Sequence, residues 1–141
     1  MATIRKEVLI DVPPDEVWAA VRDIGAVHTR LAVGFVTDCR LDGDARIVTF
    51  ANGLVAREPI VDIDDAERRL VWSNVGGRLS HYNASAQVFD AGEGRSRFVW
   101  IADLLPNEMA PAVEAMIAQG IAAIKRTLEA DWKERQAGTN L

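Results

Sequence analysis

The spacing of hydrophobic and polar residues divides the chain into segments with different periods. Apolar and polar side chains alternate over residues 3–11, which predicts a strand. Pro14 then opens a helical period that ends at Gly25, and a short helical or irregular piece continues to Arg30. From Gly34 onward, alternating stretches are separated by Asp-Gly, Asn-Gly and Gly-Gly turn signals. Because the connections are short, these stretches predict a meander of about six antiparallel strands.

A helical period returns after Pro106. Apolar residues recur every three or four positions from Met109 to Leu128, which predicts a long helix over residues 107–136 whose start Asn107 can cap. The last residues, 137–141, are expected to fray. The order of elements predicts an α+β fold, in which a curved antiparallel sheet of about seven strands surrounds the long C-terminal helix.

One predicted strand, GGRLSHYNASAQVF at residues 76–89, has an unusual inner face. Alternate positions along it carry Ser80, Tyr82, Ala84, Ala86 and Val88. These side chains are small apart from one tyrosine, whereas strands that pack against a helix are enriched in larger β-branched and aromatic residues. The inner face of this strand therefore fills less space than a packed core requires.

Composition and charge narrow the class of protein. With 141 residues, 49% of them hydrophobic and 26% charged, the chain suits one globular domain. A net charge of −5 argues against nucleic acid or an anionic membrane as the main partner. The single cysteine, Cys39, excludes an internal disulfide, and no Cys/His spacing typical of metal sites is present, so we expect no metal and no cofactor.

The N-terminal segment does not resemble a signal peptide. Arg5, Lys6 and Glu7 carry charges where a signal peptide would need an apolar stretch. Nor does any window approach the 18 or so uninterrupted apolar residues of a membrane span. We therefore expect a cytoplasmic protein that does not insert into membranes.

The order of elements, together with VPPDEVWAAVRDIG near the start and EPIVDIDDAERRLVWSNVGG in the middle, resembles the START-like, Bet v 1-like (SRPBCC) helix-grip superfamily. Within it, the chain resembles the polyketide cyclase/dehydrase-type lipid-binding group over nearly its whole length, and residues 1–136 are expected to form one such domain. The resemblance implies a deep cavity between sheet and long helix that holds a small lipophilic molecule. Small residues around Tyr82 would leave room for that guest.

A more distant likeness connects the chain to the plant abscisic-acid receptors. Residues 52–56 lie where those receptors carry a gate loop, and residues 77–79 lie where they carry a latch, followed by a matching His81-Tyr82 pair. The likeness implies that these two segments flank the entrance of the cavity.

The chain departs from those receptors at the positions that recognise the hormone. Asn52 and Val55 replace the serine and proline of the gate, and Gly77 replaces the histidine of the latch. Thr37 falls nearest to the pocket lysine of the receptors. Only the pocket architecture is therefore carried over, without the hormone or its phosphatase partner.

The resemblance and strand alternation together predict which residues face the cavity. Glu58, Asn74, Tyr82 and Asp103 form its polar group, in which carboxylates could anchor a hydroxyl or amine, or one could act as a general base. Alternatively, Glu58 and Asp103 lie at strand ends in water. The other predicted site residues are Val48, Phe50, Trp72, Ala84, Ile101, Val113, Met116 and Gly120 in the wall, with Leu54 and Leu79 at the mouth.

The four tryptophans and His81 differ in their expected positions relative to the cavity. We place Trp72 near the guest and interpret Trp18, Trp100 and Trp132 as structural. His81 alternates with Tyr82 and should point away from the cavity, so that it cannot pair with a nucleophile on the opposite face.

Three hypotheses for the function follow. The first is a carrier or sensor that binds a small hydrophobic ligand. The second is an enzyme of the polyketide cyclase/dehydrase or isomerase type, in which Asp103, Glu58 or Tyr82 transfers protons. A third, an interaction module such as an Hsp90-activator type of co-chaperone, shares the fold but has no exposed apolar stretch in its favour. A homodimer formed through a sheet edge is left open.

Overall fold

The computed structural model of the chain describes residues 1–74 and 76–139. Its strands are β1 (Ala2–Ile10), β2 (Val36–Asp42), β3 (Ala45–Phe50), β4 (Val55–Asp64), β5 (Arg69–Ser73), β6 (His81–Gly92) and β7 (Arg95–Leu105), and its helices are α1 (Pro14–Arg22) and α2 (Ala110–Thr139). A short π-helical segment, Val27–Leu31, follows α1, and a 3-10 turn, Asn107–Met109, precedes α2. The predicted order of elements is confirmed.

The seven strands form one antiparallel sheet in the order β1-β7-β6-β5-β4-β3-β2. Strands β2 to β7 are joined as consecutive hairpins, whereas β1 crosses over to pair with β7. The predicted α+β architecture, with its antiparallel sheet of seven strands and long C-terminal helix, is therefore confirmed.

Helix α2 covers only part of the sheet. It packs against β1, β7 and the π-helical segment. Its buried positions Val113, Ile117, Ile124 and Leu128 follow the three- and four-residue spacing that gives a helix one apolar face. The concave side of the sheet opposite β3 to β6 is left free for a cavity.

Helix α1 begins at Pro14, with two acidic residues in its first turn, and buries Val17, Trp18 and Val21. Asp65, in the turn between β4 and β5, accepts hydrogen bonds from Trp18 Nε1 at 2.9 Å and from Arg22 Nε at 2.7 Å. The helix ends at Arg22, before the predicted end at Gly25. Trp18 is thus structural, as predicted.

The predictions were wrong at two further places, the start of β6 and the cap of the C-terminal helix. Strand β6 begins at His81, and residues 76–80 form a loop in which Gly76 and Gly77 have φ values of 96° and 74°. A left-handed backbone of this kind favours glycine and does not continue a strand. Asn107 lies within the 3-10 turn and forms no capping hydrogen bond.

The C-terminal helix also differs from the prediction. It continues to Thr139, three residues past the predicted end at residue 136. Val75, predicted to end a strand, and residues 140 and 141 of the predicted tail lie outside the described residues. Within residues 1–74 and 76–139, no helix is long and apolar enough to cross a membrane.

Candidate ligand cavity

A cavity of about 720 Å³ lies between the sheet and α2. Most of the predicted site residues line it, namely Val48, Phe50, Leu54, Glu58, Trp72, Asn74, Leu79, Tyr82, Val113 and Met116. Side chains from β3 to β7 form its floor, and α2 closes one side. The structure thus brings these residues together, and their contact with a ligand stays a prediction.

The inner face of β6 has the predicted orientation. Tyr82, Ala84, Ala86 and Val88 are all buried, whereas His81 is exposed and points away from the cavity. Of these residues, Tyr82 and Ala86 line the cavity. Ala84 faces the same interior without reaching the cavity surface, and its cross-strand neighbours are Trp72 and Ala102.

The alanines of β6 make room for two tryptophans. Ala84 lies opposite Trp72 on β5, and Ala86 lies opposite Trp100 on β7. Strands β5 and β7 flank β6 and are therefore roughly 9.6 Å apart, yet the centroids of the Trp72 and Trp100 rings are only 5.9 Å apart. The two indoles must lean toward each other across β6, which requires small side chains beneath them. The small residues thus accommodate the indoles that form the cavity floor.

The predictions for β7 were wrong by one residue. Trp100 lines the cavity, and Ala102 and Leu104 are completely buried. Ile101 and Asp103 lie on the opposite face, where the Thr3 hydroxyl donates a hydrogen bond of 2.5 Å to the Asp103 carboxylate. Asp103 is therefore removed from the polar group of the cavity. Trp100, interpreted from the sequence as structural, lines the cavity beside Trp72.

A β-bulge sets the pairing of β6 with β7. The register of the β6–β7 hairpin shifts by one residue between Asp90 and Gly92. Without the shift, Ala86 would pair with Ile101, and the predicted inward face of β7 would follow. A one-residue slip moves every side chain of a strand to the other face.

Gly120 has a packing function. A Cβ atom at this position would lie 3.0 Å from both Phe35 Cε2 and Trp100 Cζ3. Gly120 is not among the residues that line the cavity. The absent side chain lets α2 approach the aromatic rings beside the cavity.

Arg46 and Glu58 form a buried ion pair in the cavity wall. They are direct cross-strand partners on β3 and β4, and Arg46 Nε donates a hydrogen bond of 2.9 Å to Glu58 Oε1. Their side chains are 6% and 9% exposed, so the alternative that Glu58 lies in water at a strand end is wrong. The guanidinium carbon of Arg46 lies 5.3 Å from the centroid of the Trp72 ring. Arg46 therefore contacts an acid and an aromatic face at once.

Burial dominates the electrostatics of this region. It raises the pKa of Glu58 above its usual value, although the charge and the hydrogen bond of Arg46 oppose the shift. Burial also raises the pKa of Tyr82, and the nearby Glu58 carboxylate adds to that rise. The Tyr82 phenol thus stays protonated at neutral pH and can donate a hydrogen bond.

Two buried hydrogen-bond donors in the cavity wall have no partner among the described residues. They are Arg46 Nη1 and Trp100 Nε1. The Trp100 indole N–H lies near enough to the Tyr82 hydroxyl to lower its pKa, but it does not reach hydrogen-bonding geometry. An unsatisfied buried donor costs about 1–3 kcal/mol, so these two groups lower the stability that the polar part of the wall contributes.

Sequence reasoning missed Arg46, and a signal for it was available. Val48 and Phe50 were placed inward on β3, and the same alternation, continued by two residues, puts Arg46 on that face. For Trp100 a signal was also available, because Arg97 and Asp103 share one face of β7 and leave Phe98, Trp100 and Leu104 on the other.

Two loops edge the mouth of the cavity. We call residues 52–55, which end with the first residue of β4, and residues 76–79 the mouth loops, because both contribute cavity-lining residues. In the first, Asn52 Oδ1 accepts a hydrogen bond of 3.0 Å from the Leu54 backbone N–H, and Leu54 is 57% exposed. These loops correspond to the segments expected to flank the entrance. Thr37 does not line the cavity, and its hydroxyl donates to the Thr49 carbonyl oxygen at 3.3 Å.

Comparison with known proteins identifies the family. A family model described as "Polyketide cyclase / dehydrase and lipid transport" matches residues 1–129, nearly the whole chain. The chain belongs to this family. Comparison with curated proteins finds none that matches the sequence significantly.

Several solved structures share the fold of this chain. A Thermobifida fusca protein is 26% identical with a TM-score of 0.75 over 96% of this chain and 95% of its own. A START superfamily protein from Mycobacterium smegmatis is 11% identical with a TM-score of 0.72, over 94% of this chain and 97% of its own. Norcoclaurine synthase from Thalictrum flavum is 19% identical with a TM-score of 0.72, over 94% of this chain and 87% of its own. The predicted START-like, Bet v 1-like helix-grip fold is confirmed.

Proposed function

We propose that the protein binds a small lipophilic molecule in the cavity between the sheet and α2 and acts as a carrier or sensor. The observation that carries this proposal is a cavity of about 720 Å³ whose wall combines apolar side chains with a few polar groups. That size and composition are typical of sites for small organic ligands.

The cost of an empty cavity supports the same proposal. At about 24 cal/mol per Å³, a dry void of this volume would cost roughly 17 kcal/mol, more than the roughly 5–15 kcal/mol of a whole domain. The cavity must therefore hold water or a guest. Because much of its wall is apolar, a lipophilic molecule would gain free energy by displacing that water.

The comparisons add fold-level support. The description of the family includes lipid transport. The norcoclaurine synthase structure is described as a complex with dopamine and hydroxybenzaldehyde, two small aromatic molecules. A helix-grip protein can therefore accommodate aromatic guests of a size that suits this cavity.

A direct test uses the neutral fluorescent dye N-phenyl-1-naphthylamine, with native mass spectrometry of the purified protein for bound lipophilic molecules. Ala112→Phe adds a ring where α2 lines the cavity, and we expect it to weaken dye binding at least about tenfold, since the ring occupies volume that the dye needs. Ala118→Phe introduces the same side chain on an exposed position of α2 and should leave binding unchanged. If the dye fails to bind, or binds both variants equally well, the cavity is not its site.

The alternative function is an enzyme of the polyketide cyclase/dehydrase or isomerase type. It now depends on Glu58 and Tyr82, since Asp103 lies outside the cavity. The specific observation in its favour is a buried carboxylate whose charge acts on a buried phenol in the same cavity. Against it, Glu58 Oε1 already accepts a hydrogen bond from Arg46 Nε.

Proton abstraction by Glu58 can be tested without knowing the natural substrate. A base in the cavity should accelerate exchange of the α-protons of 2-tetralone in D₂O, which NMR follows directly. Under the alternative function, Glu58→Gln abolishes this acceleration while the ketone still binds. No acceleration by the wild-type protein would favour a carrier or sensor.

A further inference from the structure

The ion pair in the cavity wall leaves part of its arginine available. Arg46 uses Nε to bind Glu58, and its Nη1, buried in the wall, has no partner among the described residues. A guanidinium has five N–H donors and no acceptor. A ligand that reaches this part of the cavity therefore lies beside a guanidinium whose hydrogen-bonding capacity is only partly used.

Other charged and titratable groups near the pair are few. Among the described lining residues, Arg78 is exposed at the mouth, and Tyr82 approaches from β6. Cys39 on β2 is buried close enough for the charges of both Arg46 and Glu58 to act on it. The described lining side chains of α2 include Val113, Met116 and Ile117 and carry no charge. Within this surrounding, the Glu58 carboxylate is the group that balances the charge of Arg46.

We propose that Glu58 determines the charge selectivity of the cavity: by neutralising Arg46, it makes the site prefer an uncharged molecule with a carbonyl oxygen to a carboxylate of the same shape. This inference rests on the proposed ligand-binding function and names the class of ligand.

The physical reason is the charge that remains after binding. A ketone beside the Arg46–Glu58 pair adds no charge and leaves the buried site neutral. A carboxylate at the same place leaves two negative charges beside one positive charge, which is costly in a poorly hydrated cavity. The carboxylate can enter cheaply only if a proton comes with it, onto Glu58 or onto the ligand itself. Since burial already raises the pKa of Glu58, that residue is suited to accept the proton.

Two probes of matched shape test the inference on the wild-type protein. 2-Acetonaphthone and 2-naphthoate differ in a methyl group in place of a carboxylate oxygen, and each displaces bound N-phenyl-1-naphthylamine. We expect the Kd of the ketone to stay constant between pH 6 and 8. The Kd of naphthoate should rise about tenfold per pH unit, because its binding takes up one proton. Calorimetry in buffers of different ionisation enthalpy should register that proton.

Glu58→Gln removes the balancing charge and leaves Arg46 in place. In this variant we expect naphthoate at pH 7 to bind at least about tenfold more tightly than to wild type, without proton uptake. The ketone should bind with little change. Glu134→Gln, which removes a charge from an exposed position of α2, serves as the matched control and should behave as the wild type does.

The outcomes separate this inference from the function on which it rests. If the dye does not bind, the proposed function fails and the inference fails with it. If the dye and both probes bind, but naphthoate binds as tightly as the ketone or takes up no proton, the inference alone is overturned. Should Glu58→Gln fail to fold, the pH dependence measured on the wild type still decides.

Discussion

Arg46 and Glu58 show how one residue pair can serve both the fold and the site. They join β3 to β4 from the inner face of the sheet, and nearly all of their surface is buried. Two charges removed from water are tolerated only as a pair, because the loss of one partner leaves the other uncompensated. Their contribution to stability must therefore be measured on the pair.

A double-mutant cycle separates the pair from its members. We expect Arg46→Met and Glu58→Met each to lower the free energy of unfolding by about 3–5 kcal/mol, because each strands a buried charge. The double variant should be more stable than either single variant, since it replaces the pair by apolar side chains. Urea unfolding of the four proteins at pH 7 gives the coupling energy. Additive losses would show that the two side chains do not depend on each other.

The pH dependence of stability isolates Glu58. Because its pKa is raised in the folded protein, the folded state binds more protons than the unfolded state above the ordinary pKa of 4.5. The stability of the wild type relative to Glu58→Gln is therefore greatest below that pH, and it is lost as the pH rises through the folded-state pKa. The slope cannot exceed about 1.36 kcal/mol per pH unit.

Urea unfolding of both proteins between pH 4 and 8 provides the measurement. Titration of the other carboxylates is shared by the two proteins and cancels in the difference. A difference that grows with pH would mean that the pKa of Glu58 is lowered, with Arg46 outweighing burial.

At the scale of elements, Gly120 controls how closely α2 approaches the sheet. Alanine would gain about 1 kcal/mol in helix propensity, but its Cβ would lie 3.0 Å from the rings of Phe35 and Trp100. Overpacking costs about 1–3 kcal/mol, so we expect Gly120→Ala to lower stability by up to about 2 kcal/mol. Gly138→Ala in the same helix meets nothing within 4 Å and should not destabilise. Thermal unfolding of both variants compares them, and a stabilised Gly120→Ala protein would contradict the packing function.

The strands show how well the alternation of apolar and polar residues predicts which side chains face the cavity. On β6 it placed Tyr82 and Ala86 on the cavity side, and on β3 it contained the information needed to find Arg46. On β7 it was misapplied: Arg97 and Asp103 share the face of Ile101, which marks the face of Phe98 and Trp100 as the inner one. Local pattern thus separates the two faces of a strand, and the cross-strand register shows which residues of neighbouring strands share a face.

The small residues of β6 cannot be explained from the sequence of that strand alone. Ala84 and Ala86 lie beneath indoles that come from β5 and β7, so their size reflects three strands at once. The pattern of β6 shows that its inner face carries small side chains, but it does not identify the indoles of β5 and β7 that pack over them. The cavity floor is a property of the assembled sheet.

For the whole molecule, the off-centre position of α2 matters most. The helix packs against β1 and β7, and the rest of the concave sheet is left to the cavity and the mouth loops. Leu54 and Val55 remain 57% and 64% exposed on one of these loops. Apolar side chains held in water at the entrance gain free energy if a lipophilic guest covers them.

Ligand binding should therefore stabilise the protein globally and protect the mouth loops locally. With N-phenyl-1-naphthylamine at about 100 times its Kd, linkage gives about 2.7 kcal/mol of stabilisation, or a Tm higher by about 10 °C for a domain of this size. Hydrogen-exchange mass spectrometry should show slower exchange at residues 52–55 and 76–79. The turn at residues 92–95 does not line the cavity and provides the internal control. Equal protection of the turn and the mouth loops would indicate general stiffening of the fold, and unchanged exchange at the loops would mean that the guest enters elsewhere.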